Sequence, residues 1–390
     1  MTQQEKRLIL VNTIFYIVFS MFSSFLNVYL YAYTKSFIVM SWFVVVRMIP
    51  FPFMSVIGAR LAKKLNLSSS ITLGLVFLIL SLYVSLFCTS LFELNPYYSL
   101  IVALTCGIGF GFFWFGMNLC SQIVPTNESR ANFIATKTFF SNITTMLAPM
   151  LSTFIIDISQ DDLVGYRNIL IVVVILCAII SVLALGIKAR GSVKNFTLIE
   201  ACTFKDEDHK VMLMSYFWYG VNDALFLTLT GILVSNAAGS GSLYSKLLTV
   251  FSIIQVVVSR TLPWMVKKKR INASLTITAI INITSTIVLV LFPNVWGAIY
   301  YGVAHAIYNL YEHTNSYIIS QITSKYDNIP EVVTARQTYN SLGRILGMLF
   351  IIMCYYIMPE NIYLKVAVIV CSLPPLIVVY LDKKLIKKIF

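Results

Sequence analysis

Long apolar runs follow one another along almost the whole chain. A helix needs about 20 mostly apolar residues to cross the hydrocarbon core of a bilayer. The 390 residues are 58% hydrophobic and 12% charged, whereas a soluble domain has roughly 45–50% apolar and about 25% charged residues. We therefore predict an all-α membrane protein with about twelve transmembrane helices. Their approximate ranges are 8–32, 37–61, 70–90, 97–121, 133–157, 168–188, 211–236, 244–266, 273–292, 295–321, 334–357 and 361–381.

Lysine and arginine are concentrated in alternate connections between these runs. Short loops rich in these residues stay on the cytoplasmic side of a membrane. The opposite connections hold only Lys35, Arg167, Lys246 and Lys365. Because the basic connections lie on the same side as both chain ends, we predict that both termini are cytoplasmic. The same bias explains the net charge of +13, so no nucleic-acid partner is expected.

The sequence lacks the motifs that would indicate a cofactor or a catalytic centre. Its seven cysteines are isolated, with no C-x-x-C pair, so neither a disulfide framework nor a metal site is expected. There is no G-x-x-x-x-G-K-[ST] loop for a nucleotide. The glycine-rich GIGFGFFWFG lies inside a predicted helix, where small residues let helices approach closely. We therefore expect no cofactor and no enzymatic activity.

Two short similarities relate the first half of the chain to the second. SQIVPTNE begins at Ser121 and resembles SQITSKYD, which begins at Ser320; ATKTFFS from Ala135 resembles ARQTYNS from Ala335. Each pair is about 200 residues apart and holds the same place among six runs. We predict six-helix bundles at 1–188 and 211–390, joined by a cytoplasmic linker at 189–210. This linker contains KDED and His209, and we expect it to be solvated.

Duplicated six-helix halves with both chain ends in the cytoplasm resemble the major facilitator superfamily. The resemblance implies two parallel repeats with a substrate site near the membrane midplane between them. It also implies a self-contained, monomeric secondary transporter in the inner (plasma) membrane of a bacterium. The stretch NSLGRILGMLF from Asn340 looks like the eleventh helix of several bacterial members.

Two motifs of that superfamily are degenerate here. The loop after its second helix usually reads G-x-x-x-D-x-x-G-[RK]-[RK], but GARLAKKLNL has Ala62 in place of the acid and Leu65 in place of the second glycine. The salt bridge that family members make with that acid is therefore in doubt. Exporters often carry G-P in the fifth helix, where this chain has Ala148-Pro149. A plain proline kink explains that pair equally well.

Several ionisable residues lie inside the predicted helices. A charged side chain at the bilayer centre costs about 2.5–3.5 kcal/mol on insertion scales, and such residues usually face the bundle interior or a wet cavity. They are therefore candidates for function. The set is Arg47, Lys137, Asp223, His305, Glu312, His313, Arg336 and Arg344.

Helical periodicity predicts which of these residues share a face. In the tenth run, His305, Tyr308, Asn309 and Glu312 recur at i, i+3, i+4 and i+7, and Ser316 continues the row. Residue 313 faces about 100° away from residue 312, since a helix has 3.6 residues per turn. Similar polar stripes occur in four other runs, the first, fifth, seventh and eleventh. The substrate-binding candidates are Arg47 in the second run and, on the stripes, Arg344, Asn27, Tyr219, Tyr308, Asn309, Asn340 and Lys137.

Protons are the expected coupling ion. Burial in a cavity of low dielectric disfavours the charged form of a carboxyl group, so that group can load and release a proton as access alternates. Glu312 and Asp223 are the proton-coupling candidates, with His305 as a relay. The alternatives stay open: Asp223 could only neutralise an arginine, His305 could only bond neighbouring helices, and Arg47 and Arg344 could be ion-pair partners.

The charge balance within the helices indicates a substrate class. Deep cations, Arg47, Arg344 and Lys137, outnumber deep acids, and arginine binds carboxylate or phosphate in bidentate fashion. We expect a small anionic or zwitterionic, amphipathic solute, with export slightly favoured by Ala148-Pro149. The alternatives are a lipid or lysolipid flippase of the same fold and a multidrug efflux pump. A membrane enzyme, a receptor and a channel are less compatible with short loops and few histidines.

Overall fold

The computed structural model describes residues 1–66, 68–125, 130–188, 196–226, 229–259, 271–323 and 325–389. These ranges are almost entirely α-helical and contain no β-strand, which confirms the all-α prediction. The chain divides into two compact units. Unit 1 comprises Met1–Val39, Val46–Thr203 and Asp327–Thr338, and unit 2 comprises Met40–Val45, Phe204–Tyr326 and Tyr339–Phe390.

Up to residue 203, the described chain forms nine α-helices and a short 3₁₀ turn at Pro96–Tyr98. The helices are α1 Gln3–Thr34, α2 Phe37–Met48, α3 Pro50–Lys64, α4 Ser69–Phe87, α5 Thr89–Leu94, α6 Ser99–Ile123, α7 Arg130–Asp157, α8 Asp162–Leu185 and α9 Leu198–Cys202.

The described residues after 203 form a second series of helices. They are α10 Glu207–Phe226, α11 Leu229–Ala238, α12 Gly241–Ser259, α13 Ile271–Leu291, α14 Val295–Thr323, α15 Ile329–Ile357, α16 Glu360–Cys371 and α17 Pro375–Ile389.

Local sequence signals set several helix starts. Thr2 and Glu5 form a capping box at the start of α1, because each side chain accepts the backbone N–H of the other residue. The carboxylate of Asp161 accepts the N–H of Val164 at 2.8 Å and so caps α8. Pro50 begins α3, where its missing N–H leaves no hydrogen bond unmade. The predicted run 37–61 is consequently two helices that meet at Ile49.

Eleven segments of the described chain are helical, long and apolar enough to cross a membrane. Helix α14 is not among them, since His305, Glu312 and Asn315 lower its hydropathy. Its 29 residues extend about 43 Å at 1.5 Å per residue, more than the roughly 30 Å of a bilayer core. That α14 spans the membrane therefore stays a prediction, made from its length.

In unit 1, helix α1 packs against α7 and α8, and its aromatic side chains also meet α6. Phe15 and Phe22 are buried, and the ring of Phe22 meets Phe110 of α6 edge-on at 5.2 Å. The amide of Asn12 donates to the hydroxyl of Ser141 in α7 at 2.9 Å. The polar stripe predicted for the first run therefore serves, at this residue, to join two helices.

In unit 2, α10 packs against α17, and α14 packs against α12 and α13. The contacts bury leucines and alanines such as Leu213, Leu225, Leu275 and Ala279, each without solvent exposure. Helix α17 runs to Ile389, eight residues past the predicted end at 381. Lysines ended the apolar signal there, but lysine is a good helix former. The extension places Asp382 inside a helix.

The described part of the predicted linker, residues 196–210, is mostly exposed, and His209, which lies within α10, is an exception. His209 is fully buried, and its ring lies 5.3 Å from the ring of Tyr326. Ala201 of α9 is buried as well. An imidazole that packs on an aromatic ring loses its exposure, whereas the neighbouring acids Asp206 and Glu207 remain at the surface.

Asp206 anchors this region, which leads to a testable expectation. Its carboxylate accepts the His209 backbone N–H at 2.7 Å and the Tyr326 hydroxyl at 2.9 Å. Burial acts to raise the pKa of Asp206, but these hydrogen bonds outweigh it and hold the pKa below its ordinary value. Asp206→Ala should cost about 1 kcal/mol of stability through loss of the helix cap. Denaturant titration at neutral pH measures the loss.

The pH dependence follows from the sign of that shift. A depressed pKa stabilises the fold above the unfolded value of about 3.9, and the benefit disappears as pH falls through the folded value. The difference in the free energy of unfolding between wild type and Asp206→Ala should therefore become smaller at acid pH. Tyr326→Phe keeps the helix cap and should therefore lose less stability than Asp206→Ala. Equal losses of stability in the two variants would refute the capping role of Asp206.

Candidate functional site

Helices α10, α14 and α15 bring ionisable side chains together within unit 2. Tyr219 and Asp223 lie four residues apart on one face of α10. Glu312 of α14 interacts electrostatically with Asp223 and with Arg344 of α15. His305, two turns before Glu312 on α14, interacts electrostatically with Asp223 as well. These five residues are called the polar cluster below.

Asp223 and Arg344 form an ion pair at the centre of the polar cluster. The Arg344 Nε donates to Asp223 Oδ2 at 2.7 Å, and Nη2 donates to the same oxygen. The two side chains are only 13% and 16% exposed, respectively. The sequence left open which arginine neutralises Asp223, and the geometry supplies that partner.

Two glycines allow α10 and α15 to approach closely enough for this pair. A Cβ on Gly343 would lie 2.0 Å from the carbonyl oxygen of Phe217, and one on Gly220 would lie 2.3 Å from that of Asn340. Backbone therefore meets backbone at both positions. Since Gly343 immediately precedes Arg344, the contact brings the guanidinium within reach of α10.

Glu312 lies beside the ion pair and is held by a phenol. Its Oε1 accepts a hydrogen bond from the Tyr219 hydroxyl at 3.0 Å. A proton on Glu312 would relieve its repulsion with Asp223, whereas the ionised form would compete for Arg344. The arrangement therefore links protonation of one carboxyl group to the strength of a neighbouring ion pair.

His305 is packed between aromatic rings. Its imidazole stacks on Tyr301, with centroids 5.5 Å apart and planes 9° apart, and it lies 5.7 Å from the ring of Tyr308. Stacking fixes the plane of the imidazole next to Asp223. The relay role predicted for His305 is not tested by this geometry.

Tyr308 contributes a ring to the site and a hydroxyl to the protein interior. Its hydroxyl donates to Asn222 Oδ1 at 3.2 Å, and the amide of Asn222 donates to the Cys371 carbonyl at 3.2 Å. The ring of Tyr311 stacks on Tyr308 at 4.8 Å and on Tyr219 at 6.4 Å. The sequence interpretation missed Asn222, because it is next to Asp223 and faces another side of α10.

Asn340 lies one helical turn before Arg344 on α15. Its Oδ1 is buried, and within the described residues it accepts no hydrogen bond. Its carbonyl oxygen faces Gly220. Asn340 thus lies against α10 next to Tyr219 of the polar cluster, and its role in substrate binding remains a prediction.

Arg47 lies in unit 1 and is almost fully buried, at 3% exposure. Its guanidinium contacts the thiol of Cys106 on α6. A Cβ on the adjacent Gly107 would lie 2.1 Å from the carbonyl oxygen of Arg47. These contacts place Arg47 in a tight helix–helix junction.

The other candidates of unit 1 are held by neighbouring groups. Asn27 is 3% exposed, and its amide donates to the Ser23 carbonyl of its own helix at 3.1 Å. The Lys137 ammonium donates to the Ser121 hydroxyl at 3.2 Å. Both roles in binding remain predictions. The side chains of Asn309 and His313 lie outside the described residues.

A buried acid that the sequence interpretation missed lies nearby in unit 2. Asp382 is fully buried; its Oδ1 accepts from the Ser215 hydroxyl at 2.7 Å and its Oδ2 from the Asn315 amide at 2.8 Å. The residue follows the predicted last run by one position and precedes two lysines, so the apolar signal ends before it. Only the continuation of α17 brings it inside.

Comparison with known families decides the class of the protein. The sequence profile of the Major Facilitator Superfamily matches residues 8–348. The chain belongs to that superfamily. It is therefore a multi-pass membrane transporter and not an enzyme. This confirms the predicted resemblance to the superfamily and the expectation that the protein has no enzymatic activity.

Individual relatives of this superfamily member are distant. It is 22% identical over 377 residues to the uncharacterized protein YqgE of Bacillus subtilis (strain 168), an alignment that covers 93% of this chain and 85% of the relative. The nucleoside transporter NupG has a similar structure, with TM-score 0.69, 12% identity and coverage of 99% and 100%. The D-xylose-proton symporter also has a similar structure, with TM-score 0.70, 13% identity and 96% coverage of each chain.

Proposed function

We propose that this chain is a proton-coupled secondary active transporter of small zwitterionic or amphipathic solutes. The observation that carries the proposal is the position of Glu312, which accepts a hydrogen bond from Tyr219 and lies beside the buried Asp223–Arg344 pair. A carboxyl group in such surroundings changes the local charge balance when it gains or loses a proton. That change is what couples a proton to a conformational step.

The polar cluster supports a zwitterion better than a simple anion. Arg344 is already neutralised by Asp223, so a free anion would have to compete with an internal carboxylate. A zwitterion can instead exchange partners, with its carboxylate on Arg344 and its ammonium on Asp223. Tyr219, Tyr308 and Tyr311 supply ring faces beside the pair, which suits an apolar or ring-bearing body.

The remaining features of the proposal follow from the sequence. We assign the protein to the inner membrane of a bacterium as a monomer, with twelve spans, cytoplasmic termini and six-helix halves at 1–188 and 211–390. Export is the favoured direction, because Pro149 lies inside α7 and Ala148-Pro149 resembles the G-P of exporters. A lipid flippase of the same fold is the alternative.

Purified protein in proteoliposomes tests the proposal. Proton flux is followed with a pH dye sealed inside the vesicles, while zwitterionic, anionic, cationic and neutral solutes are added under gradients of either direction. Nucleosides and xylose belong in the panel, because the structural neighbours carry such solutes. We expect a proton flux when zwitterionic solutes are added and much less flux with the neutral and simple anionic solutes.

Glu312→Gln is the decisive variant. The amide keeps an acceptor for Tyr219 but cannot carry the proton, so coupled flux should fall on the order of 10²-fold or more, while solute exchange without a gradient continues. Glu93→Gln, at an exposed acid, is the matched control and should behave as wild type. Undiminished proton flux in Glu312→Gln would overturn the coupling role. Flux from no pool, with flipping of labelled lipid, would favour the flippase.

A further inference from the structure

Asp382 is a buried carboxyl group with only neutral partners. It is 0% exposed, and within the described residues its contacts are the hydrogen bonds from Ser215 and Asn315. The Asn315 amide also lies 3.4 Å from the Ser215 oxygen, which closes a triangle of three helices. Among the described residues, no cation pairs with Asp382 to compensate a negative charge in this triangle. Because an unpaired buried charge is costly, such a carboxyl group tends to bind a proton.

The groups around Asp382 are few. Helix α13, which packs against α17, carries no ionisable residue within Ile271–Leu291. Helix α10 presents the Ser215 hydroxyl, and α14 presents Tyr311 beside Asn315. The nearby acid Asp208 is at the surface and pairs with Lys388. A proton is therefore the simplest cation that could neutralise Asp382.

Tyr311 lies close to both this triangle and the polar cluster. Its hydroxyl interacts electrostatically with both Asp382 and Glu312. It is buried, and in the described part of the chain it has no hydrogen-bond partner. Within the described residues the hydroxyl bonds neither carboxyl group, so it would have to approach both before it could accept a proton from one and donate its own to the other.

The helices give this sequence of groups a direction. Ser215 lies four residues before Tyr219 on α10, and Asn315 lies three residues after Glu312 on α14, which are displacements of about 6 Å and about 4.5 Å along the two helix axes. Going from Tyr219 to Ser215 and from Glu312 to Asn315 leads toward the end of unit 2 that carries Asp208 and Lys388. The lysine distribution predicts that this end faces the cytoplasm.

We propose that Asp382 is a second proton-binding site, through which protons pass between Glu312 and the lysine-rich end of unit 2. The inference rests on the proposed coupling role of Glu312. In one step, the proton of Asp382 passes to the Tyr311 oxygen while the Tyr311 hydroxyl proton passes to Glu312. The phenol stays neutral, the charge moves from Glu312 to Asp382, and Asp382 is then reprotonated from solvent.

Infrared spectroscopy of the whole protein in lipid tests the site without any transport. A protonated buried carboxyl group gives a C=O stretching band that disappears on ionisation. We expect such a band in the Glu312→Gln background, where Glu312 cannot contribute to it, lost on titration to alkaline pH and absent once Asp382→Asn is added. Asp208→Asn, a surface acid at the same end, should retain it. An unchanged band after Asp382→Asn is added would overturn the proposal.

Transport then separates this inference from the coupling role of Glu312. Asp382→Asn and Tyr311→Phe should slow proton-driven flux on the order of 10²-fold but leave gradient-free solute exchange intact. Tyr356→Phe, at a 70% exposed tyrosine, is the control. Wild-type flux in Asp382→Asn would reject the relay while leaving Glu312 in place. No proton flux in wild type itself would reject the proposed coupling, and the infrared band would then decide protonation of Asp382 alone.

Discussion

Asp223→Asn should destabilise the protein by roughly 3–5 kcal/mol, the usual cost of removing one partner from a buried ion pair. The variant leaves the guanidinium of Arg344 in a site where both side chains are at most 16% exposed. Arg344→Gln should cost a similar amount, because it leaves the carboxylate of Asp223 uncompensated next to Glu312. Chemical denaturation in detergent measures both losses.

The double variant gives this prediction its control. Asp223→Asn with Arg344→Gln replaces the pair by two neutral amides that can bond each other, so the loss should be smaller than the sum of the single losses. Asp208→Asn, which breaks the exposed contact with Lys388, should change stability much less because solvent screens it. Strictly additive losses would show that Asp223 and Arg344 do not interact.

Gly343→Ala should separate α10 from α15 and abolish transport. The new Cβ would lie 2.0 Å from the Phe217 carbonyl oxygen, and a backbone atom cannot rotate away as a side chain can. Overpacking of this kind typically costs about 1–3 kcal/mol. Because Gly343 is next to Arg344, the shift should also lengthen the contact with Asp223. Thermal unfolding and proteoliposome flux report the two effects.

Gly231→Ala is the matched control for this substitution. Gly231 lies in α11, and its nearest neighbour would be the Tyr244 hydroxyl at 3.5 Å, an ordinary contact. Alanine there should be neutral or raise stability by about 0.5–1 kcal/mol, since it is the better helix former. If Gly343→Ala unfolds at the same temperature as Gly231→Ala and transports normally, the helix contact is not needed.

The sequence was sufficient to predict the class of the protein and the faces of its helices. Apolar runs leave no other solution than helices in a bilayer, because each helix satisfies its own backbone hydrogen bonds there. The 3.6-residue period then placed Tyr308 and Glu312 on one stripe of α14. Both lie at the polar cluster, as do Tyr219, Asp223 and Arg344.

Which groups touch was decided only by the tertiary structure. Periodicity gives the direction in which a side chain faces, but it carries no information about the height at which two helices meet. The backbones of α10 and α15 touch at Gly220 and Gly343, which fixes how the two helices are aligned along their axes. This alignment brings Asp223 level with Arg344. For the same reason the site around Asp382 could not be predicted from the sequence. Its neighbours Ser215 and Asn315 are far away along the chain, and the packing of α17 brings the three residues together.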